Sequence, residues 1–163
     1  MKIVISESQY QRLIESEKQK VLRIPSLKFF NDDWFKLQKF MERKGNPPYS
    51  IGGNLDLEDT PIESLGNLQS VGGYLDLSHT PIESLGNLQS VGGFLYLGGT
   101  SIKSLGNLQS VGGDLDIYDT PIESLGNLKS VGGILGLLGT PLSKMYTKEQ
   151  IRQMVDVGGG VYL

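Results

Sequence analysis

The residues most able to do chemistry in this chain are few. Ser78 and His79 stand side by side in SHT, a hydroxyl next to the only histidine among 163 residues. Such a pair superficially offers a nucleophile and its base. Adjacent residues of an extended segment point to opposite sides, however, and no second imidazole or cysteine exists to build a relay. Asp56, Asp76 and Asp116 recur at a common spacing with Tyr96 between them. Neighbouring carboxylates of this kind could hold a hard cation such as calcium. Only Asp56 and Asp76 are consecutive in that series, so a solvated acidic face is expected, with no metal and no cofactor. The recurring Gly-Gly steps lack the Lys-Ser/Thr that completes a phosphate loop. No catalytic residue is expected.

The remaining chemistry is that of recognition. Tyr74, Phe94, Tyr96 and Tyr118 fall at related positions, interleaved with Asp76, Asp114 and Asp116. Aromatic side chains supply large contact areas, and the carboxylates favour a basic partner. The competing reading is that the aromatics stabilise their own sheet by pairing across strands.

Positioning these residues requires a repeat. Gly-Gly pairs begin at 52, 72, 92, 112 and 132, a period of 20 residues. ESLGNLQSVGG is identical at 63–73 and 83–93 and changes by one residue in each later copy, whereas the six residues after each copy differ. Within a unit Leu55 and Leu57 alternate with polar neighbours, the pattern of a strand with one buried face. Ile62, Leu65, Leu68 and Val71 complete the apolar set. Six inward side chains cannot close a core in isolation, so coils must stack and bury one another's inner faces. Equivalent residues then form columns, including Thr60, Thr80, Thr100, Thr120 and Thr140, and Asn67, Asn87, Asn107 and Asn127. Their polar groups can bond backbone left unpaired at turns. Proline at 61, 81, 121 and 141 ends each strand.

GGYLDLSHTPI resembles the leucine-rich repeat, whose core reads LxxLxLxxNxL, with Leu75, Leu77 and Ile82 in place. Gly72 replaces the first Leu and Thr80 replaces the Asn. The resemblance covers about residues 51–142 and implies a solenoid with a parallel sheet on one face and extended or 3-10 turns on the other. MKIVISESQYQRLIE and GNPPYSIGG are also similar to small repeat proteins of tailed bacteriophages and their hosts, which implies an origin more than an activity.

Residues 1–50 are expected to form a helical N-terminal cap. Ser6 and Gln9 suggest a capping box ahead of Tyr10, Leu13, Ile14 and Val21. A second helix is expected from Asn31 or Asp32, with acidic residues in its first turn. It would place Phe30, Trp34, Leu37 and Met41 on one face and stop at Gly45. That face is expected to cover the end of the solenoid, although it could also bind a partner. Residues 143–163 break the period: Val131 to Val157 spans 26 residues. Thr147 and Gln150 suggest a capped helix with Ile151, Met154 and Val155 inward, and VGGGVYL a sixth strand on the last edge. An edge strand of this kind could recruit a second copy.

Charge is uneven. Residues 52–131 carry ten acidic side chains against two basic, so nucleic acid is not an expected partner. The opening MKIVISES is too short in apolar residues for a signal peptide, and no run approaches the ~20 needed to span a bilayer. A cytoplasmic protein is expected, in the host cytoplasm if phage-encoded. The function expected is a non-enzymatic protein-binding module using the sheet's exposed face, at Tyr74, Asp76, Phe94, Tyr96, Asp114, Asp116 and Tyr118. A self-associating structural component and a carbohydrate binder are the alternatives.

Overall fold

The computed structural model describes residues 21–163 together with Ser6 and Ser8. The helix expected from Ser6 through Val21 therefore lies almost wholly outside the described residues, and Val21 itself is not helical but leads directly into the strand Leu22–Ile24. The rest is a parallel-sheet β-solenoid, each coil made of three straight runs joined at three corners.

The first run is a short strand ending at an inward β-branched residue, isoleucine in β2 (Tyr49–Ile51) and valine in β4 (Leu68–Val71), β6 (Ser90–Val91), β8 (Ser110–Val111) and β10 (Ser130–Val131). Flanked by β1 (Leu22–Ile24) and β12 (Asp156–Val157), these make a seven-stranded sheet. After the Gly-Gly corner comes the second run: β3 (Leu55–Asp56), β5 (Leu75–Asp76), β7 (Leu95–Tyr96), β9 (Leu115–Asp116), β11 (Leu135–Gly136) and β13 (Val161–Tyr162), a six-stranded sheet. All pairs are parallel, with Leu75 against Leu95 against Leu115, and the register shifts only in the β2–β4 pair, between Tyr49 and Ser50. The expected strand lies where the Leu-x-Leu alternation put it. A second sheet stands before the glycines, and the Pro-Ile-Glu-Ser-Leu side is extended.

Each corner has its own chemistry. The second run ends at a residue with positive φ: Asp59, His79, Gly99, Asp119 or Gly139. These are the residue types that tolerate the left-handed region, or glycine, which occupies it freely. Just beyond, the Thr hydroxyl donates to the carbonyl three residues back, from Thr60 to Leu57 at 2.6 Å through Thr140 to Leu137 at 2.6 Å. Thr80, Thr100 and Thr120 repeat this bond while buried, so each buried hydroxyl finds its partner within the turn, on a carbonyl that at Leu57, Leu77, Leu97 and Leu137 also accepts the threonine N–H. At the Gly-Gly corner the reason for glycine is the neighbouring coil. A Cβ on Gly72, Gly92, Gly112 or Gly132 would collide with the carbonyl oxygen of the equivalent glycine one coil earlier.

The core is a single column of inward side chains. Leu75, Leu77, Ile82 and Leu88 are fully buried, as are their counterparts Leu95, Leu97, Ile102 and Leu108. At the N-terminal end a 3-10 turn (Leu27–Phe30) precedes α1 (Trp34–Arg43). The helix begins later than the sequence suggests, because Asn31 and Asp32 both have positive φ and close the preceding turn. Asp33 is its N-cap, accepting from the Lys36 N–H at 3.0 Å, and no acidic residue lies in the first turn. Trp34, Leu37 and Met41 are buried, while Phe30 precedes the helix and packs on Phe40 with ring centres 5.4 Å apart. The Tyr49 hydroxyl ties helix to coil: it donates to the Leu65 carbonyl and accepts from Gln38, each at 2.8 Å.

At the other end α2 (Pro141–Met145) and α3 (Lys148–Met154) fill the break in period. The Thr147–Gln150 capping box is complete in both directions. Ile151 and Val155 are buried, but Met154 is 48% exposed, contrary to the inward position expected of it. The i, i+4 pair alone fills the inner side of this short helix, and the chain turns extended at Val155. Arg152 donates to the carbonyls of Val157 (2.9 Å) and Gly159 in the last coil. Among the described residues no helix is long and apolar enough to cross a membrane.

Candidate recognition surface

The outward side chains of the six-stranded sheet stand in three columns. The middle one runs Asp56, Asp76, Tyr96, Asp116, Gly136, Tyr162, as the strand register dictates. Before it run Asn54, Tyr74, Phe94, Asp114 and Ile134, and after it Glu58, Ser78, Gly98, Tyr118 and Leu138. None of these positions carries a lysine or arginine.

All seven sequence-derived site residues lie on this one face. Phe94 and Tyr96, on alternate positions of β7, bring their rings to 6.1 Å at a 34° tilt. Tyr96 pairs directly with Asp116 across the ladder. Tyr118 lies over Gly98, where a Cβ would run into its ring, and Phe94 likewise overlies Gly113. Tyr74 is half-buried one strand before Phe94 in the same column.

The aspartates are not free acids awaiting a ligand. Asp76 Oδ1 accepts from the Ser78 N–H at 2.9 Å, and Asp116 Oδ1 from the Tyr118 N–H at 3.3 Å, each closing the strand's exit. Asp114 Oδ1 accepts from the Ile134 N–H of the next coil at 2.7 Å, the role Asn54 plays toward Tyr74 at 3.1 Å. Asp116 has a raised proton affinity. Partial burial holds its carboxyl above the usual value, and the Asp114 charge adds to that, against the lowering effect of the Tyr118 N–H.

The Ser78–His79 pair is separated by the fold. Ser78 is buried, whereas His79 occupies the left-handed corner with Nδ1 3.9 Å from both Glu58 and Asp59. Asp56, Glu58 and Asp76 each offer an oxygen within 4.8 Å of the others, close enough to share a hard cation. Asp56 and Glu58 are exposed, and Asp56 also accepts from the Glu58 N–H at 3.3 Å.

The contact set expected from the sequence runs from Tyr74 to Tyr118. The fold adds a concavity of about 480 Å³ nearer the C-terminal end, around Gly136. Its lining includes Tyr96, Asp116 and Tyr118, and also Ile134, Leu138 and Tyr162, which the sequence-derived set omitted. The signal for Tyr162 was present in VGGGVYL, which aligns it with Asp76, but that sixth strand was read as an edge and not as part of the contact face. No family model, no curated protein and no solved structure matches the chain.

Proposed function

We propose that this chain is a non-enzymatic protein-binding module of leucine-rich-repeat type. It engages its partner through the outward face of the six-stranded sheet, with Tyr74, Asp76, Phe94, Tyr96, Asp114, Asp116 and Tyr118 as the contact set. The observation that carries this reading is internal to the chain. Glu, Ser, Asn and Gln of ESLGNLQS are exposed or half-exposed yet held nearly constant, while the outward positions of the strands change from coil to coil. Drift alone would have varied both. Aromatic anchors beside carboxylates, with no basic residue among them, suit a basic protein surface. Six strands about 4.8 Å apart span roughly 25 Å, room for one loop or helix of a partner. The resemblance to phage and host repeat proteins fits a phage-encoded chain acting on a host or virion protein in the host cytoplasm.

The test is affinity capture from host lysate with the wild type and with Tyr74→Ala, Phe94→Ala and Tyr96→Ala combined. The triple variant should keep its circular dichroism spectrum and lose the captured protein. Undiminished capture by a folded triple variant removes the face from the interaction.

A further inference from the structure

Glycine interrupts the outward face of the six-stranded sheet at Gly98 and Gly136 and borders it at Gly113, and two of these gaps are already filled. The ring of Tyr118 occupies the space over Gly98, and that of Phe94 the space over Gly113. Gly136 differs. A Cβ there would approach only Asp116, with Oδ1 at 3.1 Å and Cγ at 3.7 Å, so no ring covers it. Its neighbours across the ladder are Asp116 on one side and Tyr162 on the other. Ile134 and Leu138 flank it on its own strand, and both are exposed.

The chemistry of this gap is specific. Asp116 is half-buried, accepts one backbone N–H at 3.3 Å, and has its carboxyl raised chiefly by burial. A carboxylate that is partly desolvated and short of donors gains more from a cation than one in open water. Tyr162 already attracts a cation, since Lys148 Nζ stands 5.7 Å from its ring centre, although Lys148 is not part of the gap's lining. The apolar flanks at Ile134 and Leu138 suit an aliphatic stem. A planar guanidinium meets all three requirements, because it bonds a carboxylate through two N–H groups, stacks on aromatic rings and is more weakly hydrated than an ammonium.

We propose that the gap over Gly136 receives one arginine side chain of the protein partner, its guanidinium on Asp116, its plane against tyrosine, and its stem between Ile134 and Leu138. This rests on the reading of the strand face as the partner's surface and names what that partner must present there.

The experiment is a backbone-amide NMR titration of the full chain with acetyl-Gly-Gly-Arg-Gly-Gly-amide, and with the same peptide carrying lysine or citrulline. The arginine peptide should move the Gly136 and Tyr162 resonances saturably and bind about fivefold more tightly than the uncharged citrulline peptide, with lysine between. Gly136→Leu should abolish the shifts by filling the gap. A Cβ at this position stands 3.1 Å from Asp116 Oδ1, so the carboxylate must give by a few tenths of an ångström, and the circular dichroism spectrum of the variant checks that it folds. Asp116→Asn is the second variant and should weaken arginine towards the level of citrulline, leaving only the preference that the tyrosine rings supply. Equal response to arginine and citrulline, undiminished binding by a folded Gly136→Leu or by Asp116→Asn, or shifts centred on Asp56 and Glu58 instead, each overturns the proposal. A silent arginine titration together with loss of capture in the aromatic triple variant discards the gap and keeps the face. A positive titration with capture intact in that variant does the reverse.

Discussion

At the scale of single residues, Asp116 illustrates how one side chain serves both fold and surface. Its Oδ1 accepts the Tyr118 N–H, a bond an asparagine oxygen could keep, while its charge is held half out of water beside Asp114. Because burial raises the carboxyl's pKa in the folded chain above the ordinary 3.8, the folded state holds the proton more tightly than the unfolded one. The stabilisation from protonation is therefore complete below 3.8 and is lost as pH rises through the folded value. Asp116→Asn, which never ionises, should accordingly melt higher than wild type at pH 7. The gain should vanish when the two are compared below pH 3.8. Differential scanning calorimetry at both pH values checks this, and a gain that grows on acidification contradicts the assigned burial. A neutral side chain thus makes the fold more stable and the proposed arginine site weaker, the trade expected where a surface is shaped for a partner.

At the scale of the element, the corner between the two sheets decides how closely coils can approach. Gly112 has no positive φ, yet its missing side chain matters because the Gly92 carbonyl lies where a Cβ would go. Gly106 has φ of +54°, but a Cβ there would meet nothing within 4 Å. Conformational preference alone ranks Gly106 as the more sensitive position, at about 1–2 kcal/mol for an alanine in the left-handed region. Stacking ranks Gly112 at least as high, because its Cβ must displace the backbone carbonyl of Gly92 in the neighbouring coil, an overpacking cost of about 1–3 kcal/mol. Urea denaturation of Gly112→Ala and Gly106→Ala should find the first more destabilised, and the opposite order would mean the coils part easily. This corner also marks where the sequence was readable and where it was not. The alternation of Leu75 and Leu77 with polar neighbours identifies the second run, and the Thr147–Gln150 pair identifies α3. The first run offers no such sign. Ser90–Val91 and its equivalents place a single inward side chain ahead of the glycines, too short a stretch to show a period, and their strand character comes from bonds to the coils on either side. Met154 and the start of α1 were misplaced for a related reason. Local spacing cannot register that a helix has only one inner stripe to fill, or that Asn31 and Asp32 are held in left-handed turns.

At the scale of the whole molecule, each coil contacts its neighbours and the period, not the particular coil, carries the fold. Gly136 became visible as a gap only here, since it depends on residues 20 before and 26 after it lying side by side. The same modularity supplies a severe test. Deleting residues 81–100 joins Thr80 to Ser101 and leaves every column in register, because Thr80 and Thr100 hold equivalent places and make the same bond to the carbonyl three residues back. The shortened chain should unfold in one cooperative urea transition at lower midpoint, with an m value smaller by about one-eighth, in proportion to the surface removed. Deleting 91–100 alone would set a corner against a straight run and expose the core, and that chain should not fold. The 20-residue deletion also removes Phe94 and Tyr96 but spares Asp116, Gly136 and Tyr162. The arginine peptide should therefore still move Gly136 in the shortened protein, while a partner that needs the aromatic pair should be lost. Failure of the 20-residue deletion to fold would mean that the coils are not interchangeable, and that the stability of the solenoid resides in its two ends.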